Sequence, residues 1–215
     1  MATVVLLGFS CAGKSSLATE VCNRWPDVSK LDSDAWIAKP YGEPPHIYEM
    51  FFQLGRDQAL HEIAHRERLF LDELNESDHP RLIAAGPALP SRQPQWGHFV
   101  DRVRPRSVYL VQTPEEVLAG LRERRACHLR NAQIAAHPLF GSWDQEVTTQ
   151  AVAGNGWEEV DDVTALTNIA REMGSLVSHY QNLTPPEYRH LKSEVRQGQG
   201  REQVLNDIGH LLGVC

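Results

Sequence analysis

The stretch Gly8-Phe9-Ser10-Cys11-Ala12-Gly13-Lys14-Ser15-Ser16 (GFSCAGKSS) decides how the rest of the chain is read. Its first eight residues match G-x-x-x-x-G-K-[ST] throughout, the pattern of a loop that wraps phosphate. Small residues let consecutive backbone N–H groups turn inward around an anion. The N-terminus of the following helix adds its partial positive charge. In that arrangement Lys14 reaches the outer phosphates, Ser15 ligates Mg²⁺, and Gly8, Ser10, Cys11, Ala12, Gly13 and Ser16 complete the cradle. A chance match on a surface turn is the alternative. Against it, the β-branched apolar run TVVLL precedes the loop and the helix-like SLATEVCNRW follows it, as the mechanism requires.

Size and composition narrow the rest. The 215 residues suit one α/β domain spanning 1–215, and 41% apolar with 23% charged residues is ordinary for a globular chain. A formal charge of −7 argues against an electrostatic nucleic-acid footprint over the whole molecule. Cys11, Cys22, Cys127 and Cys215 lie far apart without zinc spacing, so reduced thiols in a cytoplasmic protein are expected. The apolar start has no basic flank and reads as a buried strand rather than a signal peptide. No uncharged apolar run approaches membrane-spanning length.

Strands are expected at residues 4–9, 28–34, 81–86 and 107–113. The last of these runs into Thr113-Pro114-Glu115-Glu116, a capping box with proline at the first helical position. Helices are expected at 14–25, across most of 46–74, from 114 to about 125, at 158–182 and at 202–212. Residues 126–157, rich in Gly, His and Trp, read as a long loop or lid. Alternating strands and helices imply a parallel sheet covered on both faces, a three-layer α/β/α fold with a helical or loop lid. The last sheet strand is either within 183–200 or absent.

Asp32 and Asp34 stand at the end of the second strand, where residues two apart share a face. In phosphoryl transfer one carboxylate anchors the Mg²⁺ shell, and another orients the attacking hydroxyl and accepts its proton. The bland alternative is an acidic turn that caps the next helix. Their place about twenty residues after a phosphate loop, at a carboxyl strand end, favours the catalytic reading.

Taken in order, LLGFSCAGKSS, LDSD, IYEMFFQLGRDQALHE, RLIAAG, SVYLVQTPEEVLAGLRERR and HPLF resemble the shikimate kinase family of small P-loop kinases, across residues 3–141. The resemblance implies ATP and Mg²⁺ as cofactors, with Asp32 in the magnesium shell and Asp34 as base or orienter of the acceptor hydroxyl. It also implies that Arg122, Arg124 or Arg125 packs on the adenine or reaches the phosphates. The sequence departs from the family where the family binds its substrate's carboxylate. The Phe-Arg pair is replaced by Ala59 and Leu60, with Arg56 a helical turn out of place. The triple-glycine segment reads Gly86-Pro87-Ala88, and Pro87 has no N–H to offer. The lid arginine becomes His137 in His137-Pro138-Leu139. A carboxylate site without its guanidinium loses the charge-assisted fork, so shikimate is not the expected acceptor.

His61 and His65, four apart, read as a solvated or acceptor-facing pair rather than a metal site. Trp36, Tyr48, Phe51, Phe52 and Trp96 are divided between core and acceptor pocket, with periodicity favouring core for most. If some line the site, a larger and less anionic acceptor than shikimate fits. Cys11 reads as simply a small residue of the cradle, though the helix N-terminus is expected to depress its pKa and make it alkylatable.

Together these readings point to an ATP-dependent phosphotransferase acting on a hydroxyl of a small molecule. Lys14, Asp34, Arg122 and Arg125 are the candidate catalytic residues, and Arg122 is also a candidate for the nucleotide. Ser15 and Asp32 are the candidate metal ligands. Phosphorylation of a nucleotide or polynucleotide is a second possibility, disfavoured by net acidity. A nucleotide-binding regulatory or scaffold protein with a degenerate acceptor site is the alternative of another class. Retention of both Asp32 and Asp34 counts against it.

Overall fold

The computed structural model describes residues 1–138, 161–184, 188–193 and 199–215. Five strands form one sheet: β1 (Thr3–Leu7), β2 (Ser29–Asp32), β3 (Arg81–Ala84), β4 (Arg106–Val111) and β5 (Arg189–Lys192). Their order is β2-β3-β1-β4-β5, and every pairing is parallel. β1 is central, which explains why every residue from Val4 to Leu7 is apolar. Val4, Val5, Leu6 and Leu7 are each fully buried, and burial of such side chains stabilises by about 1.5–3 kcal/mol apiece.

Alternation along the strands feeds two cores. Val4, Leu6, Leu82 and Leu110 pack with Leu17 and Val21 of α1 (Lys14–Arg24) and with Val204, Leu205 and Ile208 of the C-terminal helix Gln199–Leu212. Val5, Leu7, Ile83 and Tyr109 face the other way. They meet Phe70 and Leu71 of α4 (Arg56–Glu73), Trp96 and Phe99 of α5 (Gln95–Val103), and Tyr180 of the helix Asp162–Leu183. The result is the expected three-layer α/β/α arrangement.

Several boundaries move. Asp34 belongs not to β2 but to the first turn of α2 (Ser33–Ala38), so the two aspartates do not share a strand face. The expected helix over 46–74 is two helices, α3 (Ile47–Leu54) and α4, broken at Gly55, whose φ of 76° lies in the left-handed region. Helix α6 (Pro114–Arg130) carries the expected capping box. Thr113 Oγ1 accepts from the Glu116 amide at 3.2 Å, and Glu116 accepts from the Thr113 amide at 2.7 Å.

α6 does not stop near residue 125, because Ala-Cys-His-Leu-Arg continues the helical pattern to Arg130. A short helix α7 (Ala132–Ala135) follows. The start of the expected lid is therefore helical, and its remainder at 139–157 lies outside the described residues. In chain order the two remaining helices are α8 (Asp162–Leu183) and α9 (Gln199–Leu212). The uncertain last strand is β5, within the 183–200 interval. Among the described residues no helix is long and apolar enough to cross a membrane.

Candidate active site

The loop between β1 and α1 turns where the sequence required it. A Cβ on Gly8 would stand 3.2 Å from both the Ala12 Cβ and the Leu110 carbonyl oxygen, so this position tolerates little but glycine. Cys11 (φ 66°) and Gly13 (φ 73°) are both left-handed, a backbone alternation that makes a concave nest of N–H groups. Lys14 folds back under the loop, donating from Nζ to the Gly8 and Phe9 carbonyls at 3.0 Å each. Removal from water lowers its pKa to about 8, with Asp34 pulling the other way.

A groove of about 1000 Å³ runs along this loop. It is lined by Ser10 through Ser16 and by one face of α6, where Glu116, Gly120, Glu123, Arg124 and Cys127 recur at helical spacing. Gln112 closes one side. Its Nε2 holds the Cys11 carbonyl at 3.2 Å, and its buried Oε1 has no hydrogen-bond partner among the described residues. An orphaned buried acceptor of this kind is costly.

A second cavity of about 430 Å³ adjoins the groove. The two cavities share Ser10, Ser15, Asp34, Pro87 and Arg124 as lining residues. Asp32 lines only the second. Its Oδ1 accepts from the amides of Asp34 and Ala35 at 3.1 and 3.2 Å, so it caps α2 as the bland reading supposed. Capping and cavity lining coexist in the one side chain. Asp34 faces both cavities. The surrounding protein and the nearby Asp32 raise its pKa, while Lys14 and Arg124 act in the opposite sense.

Ser33, between the aspartates, is fully buried and accepts from the Gly86 amide at 2.7 Å, tying the end of β2 to the end of β3. This connection was not anticipated, because Ser33 and Gly86 are 53 residues apart in sequence.

The arginines of α6 separate clearly. Arg124 lines both cavities. Arg122 forms an exposed ion pair with Asp162 of α8 and lines neither, and Arg125 lines neither. The signal that distinguishes them is spacing. Arg124 is one turn beyond Gly120, whose missing side chain lets the helix approach Cys11; a Cβ there would meet that of Cys11 at 2.9 Å.

The positions that depart from the shikimate kinase pattern lie variously in the core, on the second cavity and outside it. Ala59 is buried in the core beside α3, and Leu60 lines the second cavity. Arg56, paired with Asp57 at 3.4 Å, does not line it. Nor does His137, which stacks on Phe52 with ring centroids 4.0 Å apart; Leu139 lies outside the described residues. In their place stand Arg92 and the buried Glu67, which form an ion pair inside the cavity. Sequence reasoning missed both, because they come 25 residues apart on separate elements.

It also missed His46 and His128, whose rings lie 5.6 Å apart on the same lining. Crowding around the His46 ring, with His128 and Arg124 nearby, pushes its pKa down to about 4. Of the aromatic residues, Phe51 lines the cavity and Trp96 is core, while Trp36 packs on Phe70. His61 and His65 are both exposed, and no group of metal-ligating side chains occurs among the described residues around them.

Cys11 corrects its expectation. Its pKa is raised, because burial outweighs the lowering by Arg124 and Lys14.

No family model matches the chain, and no curated protein matches it. Solved structures do. Shikimate kinase from Bacteroides thetaiotaomicron superposes with a TM-score of 0.59 at 14% identity, covering 99% of this chain and 98% of that one. Shikimate kinase from Acinetobacter baumannii, in complex with shikimate, gives 0.59 at 17% identity over 99% and 94%. The Aquifex aeolicus shikimate kinase gives 0.53 at 15% identity over 98% and 96%. The fold is therefore that of a shikimate kinase-like P-loop kinase.

Proposed function

We propose that the protein is an ATP-dependent phosphotransferase that moves the γ-phosphoryl group to a hydroxyl of a small molecule other than shikimate. One observation carries this reading: the phosphate-loop groove and the second cavity meet at Ser10, Ser15, Asp34, Pro87 and Arg124. A donor on one side and an acceptor on the other would face each other across Asp34. The whole chain acts as one kinase domain in this account, with a lid around residues 126–157.

The residues suit the cofactors. Ser15 and Asp32 offer a hydroxyl and a carboxylate, the hard oxygen ligands that Mg²⁺ takes. The loop, with its left-handed Cys11 and Gly13 and its groove, suits the phosphates of a nucleoside triphosphate. Bound Mg²⁺·ATP would supply the transferable phosphoryl group and neutralise charge on its oxygens.

This chain's residues do the rest. Lys14 leaves its carbonyl partners to hold the outer phosphates. Asp34 orients the acceptor hydroxyl and takes up its proton at a carboxylate oxygen. Arg124, at the junction, stabilises charge that develops on the transferring group. Pro87 and the apolar side chains Ile47, Phe51, Leu60 and Ile63 limit water around the hydroxyl.

Release of ADP from Mg²⁺·ATP, measured with and without a panel of hydroxylic metabolites and antibiotics, tests the reading. Acceptor-dependent turnover lost in Asp34→Asn supports it. Tight ATP binding with no stimulation by any member supports the regulatory alternative.

A further inference from the structure

Glu67 and Arg92 are the polar pair of the acceptor cavity that no phosphoryl-transfer role uses. Glu67, on α4, is 3% exposed. Its Oε2 accepts from Arg92 Nε, supplied by the chain just after the turn Leu89–Ser91. Both side chains line the cavity that Asp34 faces, together with the apolar Ile47, Phe51, Leu60 and Ile63.

Chemistry decides what such a pair can hold. A carboxylate has two oxygens and a guanidinium five N–H donors, so one bond between them leaves capacity on both partners. A ligand carboxylate has two ways in, and each is costly. It can displace Glu67 from Arg92, which leaves a buried charge uncompensated. Or it can lie beside Glu67, where two anions repel in a poorly hydrated space. A ligand ammonium meets the mirror problem against Arg92. A hydroxyl or primary amide donates to Glu67 and accepts from Arg92 at once, with no charge to bury.

The other charges agree. Asp32, Asp34 and Glu67 stand against Arg92 and Arg124 on this lining, and Arg124 belongs equally to the nucleotide groove. Among the described residues of this lining the three carboxylates outnumber the two guanidiniums, so neither arginine is in excess for an anionic acceptor.

We propose that Glu67 and Arg92 form a second recognition point for the acceptor, which is an uncharged compound carrying a further hydroxyl or amide besides the hydroxyl presented to Asp34. The inference rests on the kinase reading above and specifies its substrate class. A cavity of about 430 Å³, near the lower end of small-molecule sites, admits a compact compound with an apolar body. Carboxylate-bearing acceptors, shikimate among them, are rejected by charge rather than by size.

The test compares matched probes of nearly equal size that differ in charge: shikimate against shikimamide, quinate against quinamide, and mandelate against mandelamide. Binding to the full chain is measured by calorimetry at saturating Mg²⁺ and a non-hydrolysable ATP analogue. The expected result is at least one pair whose uncharged member binds tenfold or more tighter than its carboxylate. Glu67→Gln is expected to narrow that ratio at least tenfold, and Arg92→Met to weaken the uncharged member about tenfold. Equal or tighter binding of the carboxylates overturns the proposal, as does the absence of binding by every probe. The wild-type comparison stands if a variant fails to fold. Binding of the ATP analogue is measured first: its failure sinks the kinase reading, whereas normal nucleotide binding with the opposite charge preference sinks this inference alone.

Discussion

Gly86 lies so close to Asp34 that a Cβ at this position would come within 2.6 Å of the Asp34 Oδ1. The obstructing atom is the end of a movable side chain, so Gly86→Ala is expected to turn the carboxylate aside rather than unfold the protein. Misplacing a reacting group by about 1 Å costs up to about 100-fold in rate. Steady-state phosphoryl transfer by Gly86→Ala should therefore show kcat down about 10- to 100-fold with the KM for ATP little changed. An unaltered kcat would mean that Asp34 does not act from this position.

Arg124 and Arg122 are two residues apart and are expected to behave oppositely. Arg124→Ala removes a cation shared by both cavities. Loss of a charge-stabilising donor typically lowers kcat by about 100- to 1000-fold. Arg122→Ala breaks only an exposed pair with Asp162, and such pairs contribute little. Its kcat should match wild type, with a small change in melting temperature. The reverse pattern would return the catalytic role to Arg122.

Burial raises the Cys11 thiol above its ordinary value of 9.0, so less thiolate is present at neutral pH. Iodoacetamide at pH 7.5 should label the exposed Cys127 and Cys215 before Cys11, with labelling sites read by peptide mass spectrometry. Modification of Cys11 should accelerate as pH passes 9, and saturating ATP should slow it if ATP occupies the groove along the phosphate loop, which Cys11 lines. Fastest labelling at Cys11 would show that the loop's positive field outweighs desolvation.

The capping box of α6 holds the helix that carries Arg124. Thr113→Ala removes the side-chain acceptor for the Glu116 amide. A loss of about 1 kcal/mol is expected from chemical denaturation, with nucleotide affinity falling less than in Arg124→Ala. An unchanged midpoint would mean that α6 is fixed by packing through Val117, Leu118 and Leu121 alone.

What was legible in the sequence were the features encoded locally. The phosphate loop, the central strand and the capping box are each specified within a few consecutive residues. β5 was not legible. It is four residues, Arg-His-Leu-Lys, at the sheet edge, and only Leu191 is buried, so neither alternation nor an apolar run marks it. Asp34 was misread as a strand residue because Asp32 both ends β2 and caps α2, so the helix starts at Ser33 with no turn residues to mark the change. The Glu67–Arg92 pair escaped for a different reason. The long connection through α4 and β3 brings it together, and nothing local in GPALPSR marks Arg92 as lining the second cavity. Arg124 was among the candidates, but choosing it over Arg122 required knowing which face of α6 packs on Cys11.

Transfer of label from [γ-³²P]ATP to a panel of uncharged hydroxylic compounds, with shikimate included, tests the central claim most directly. The account predicts a labelled product with at least one uncharged member, no product with shikimate, and loss of that product in Asp34→Asn despite retained ATP binding. Substantial labelling of shikimate, or ATP binding without transfer to any member, would contradict it.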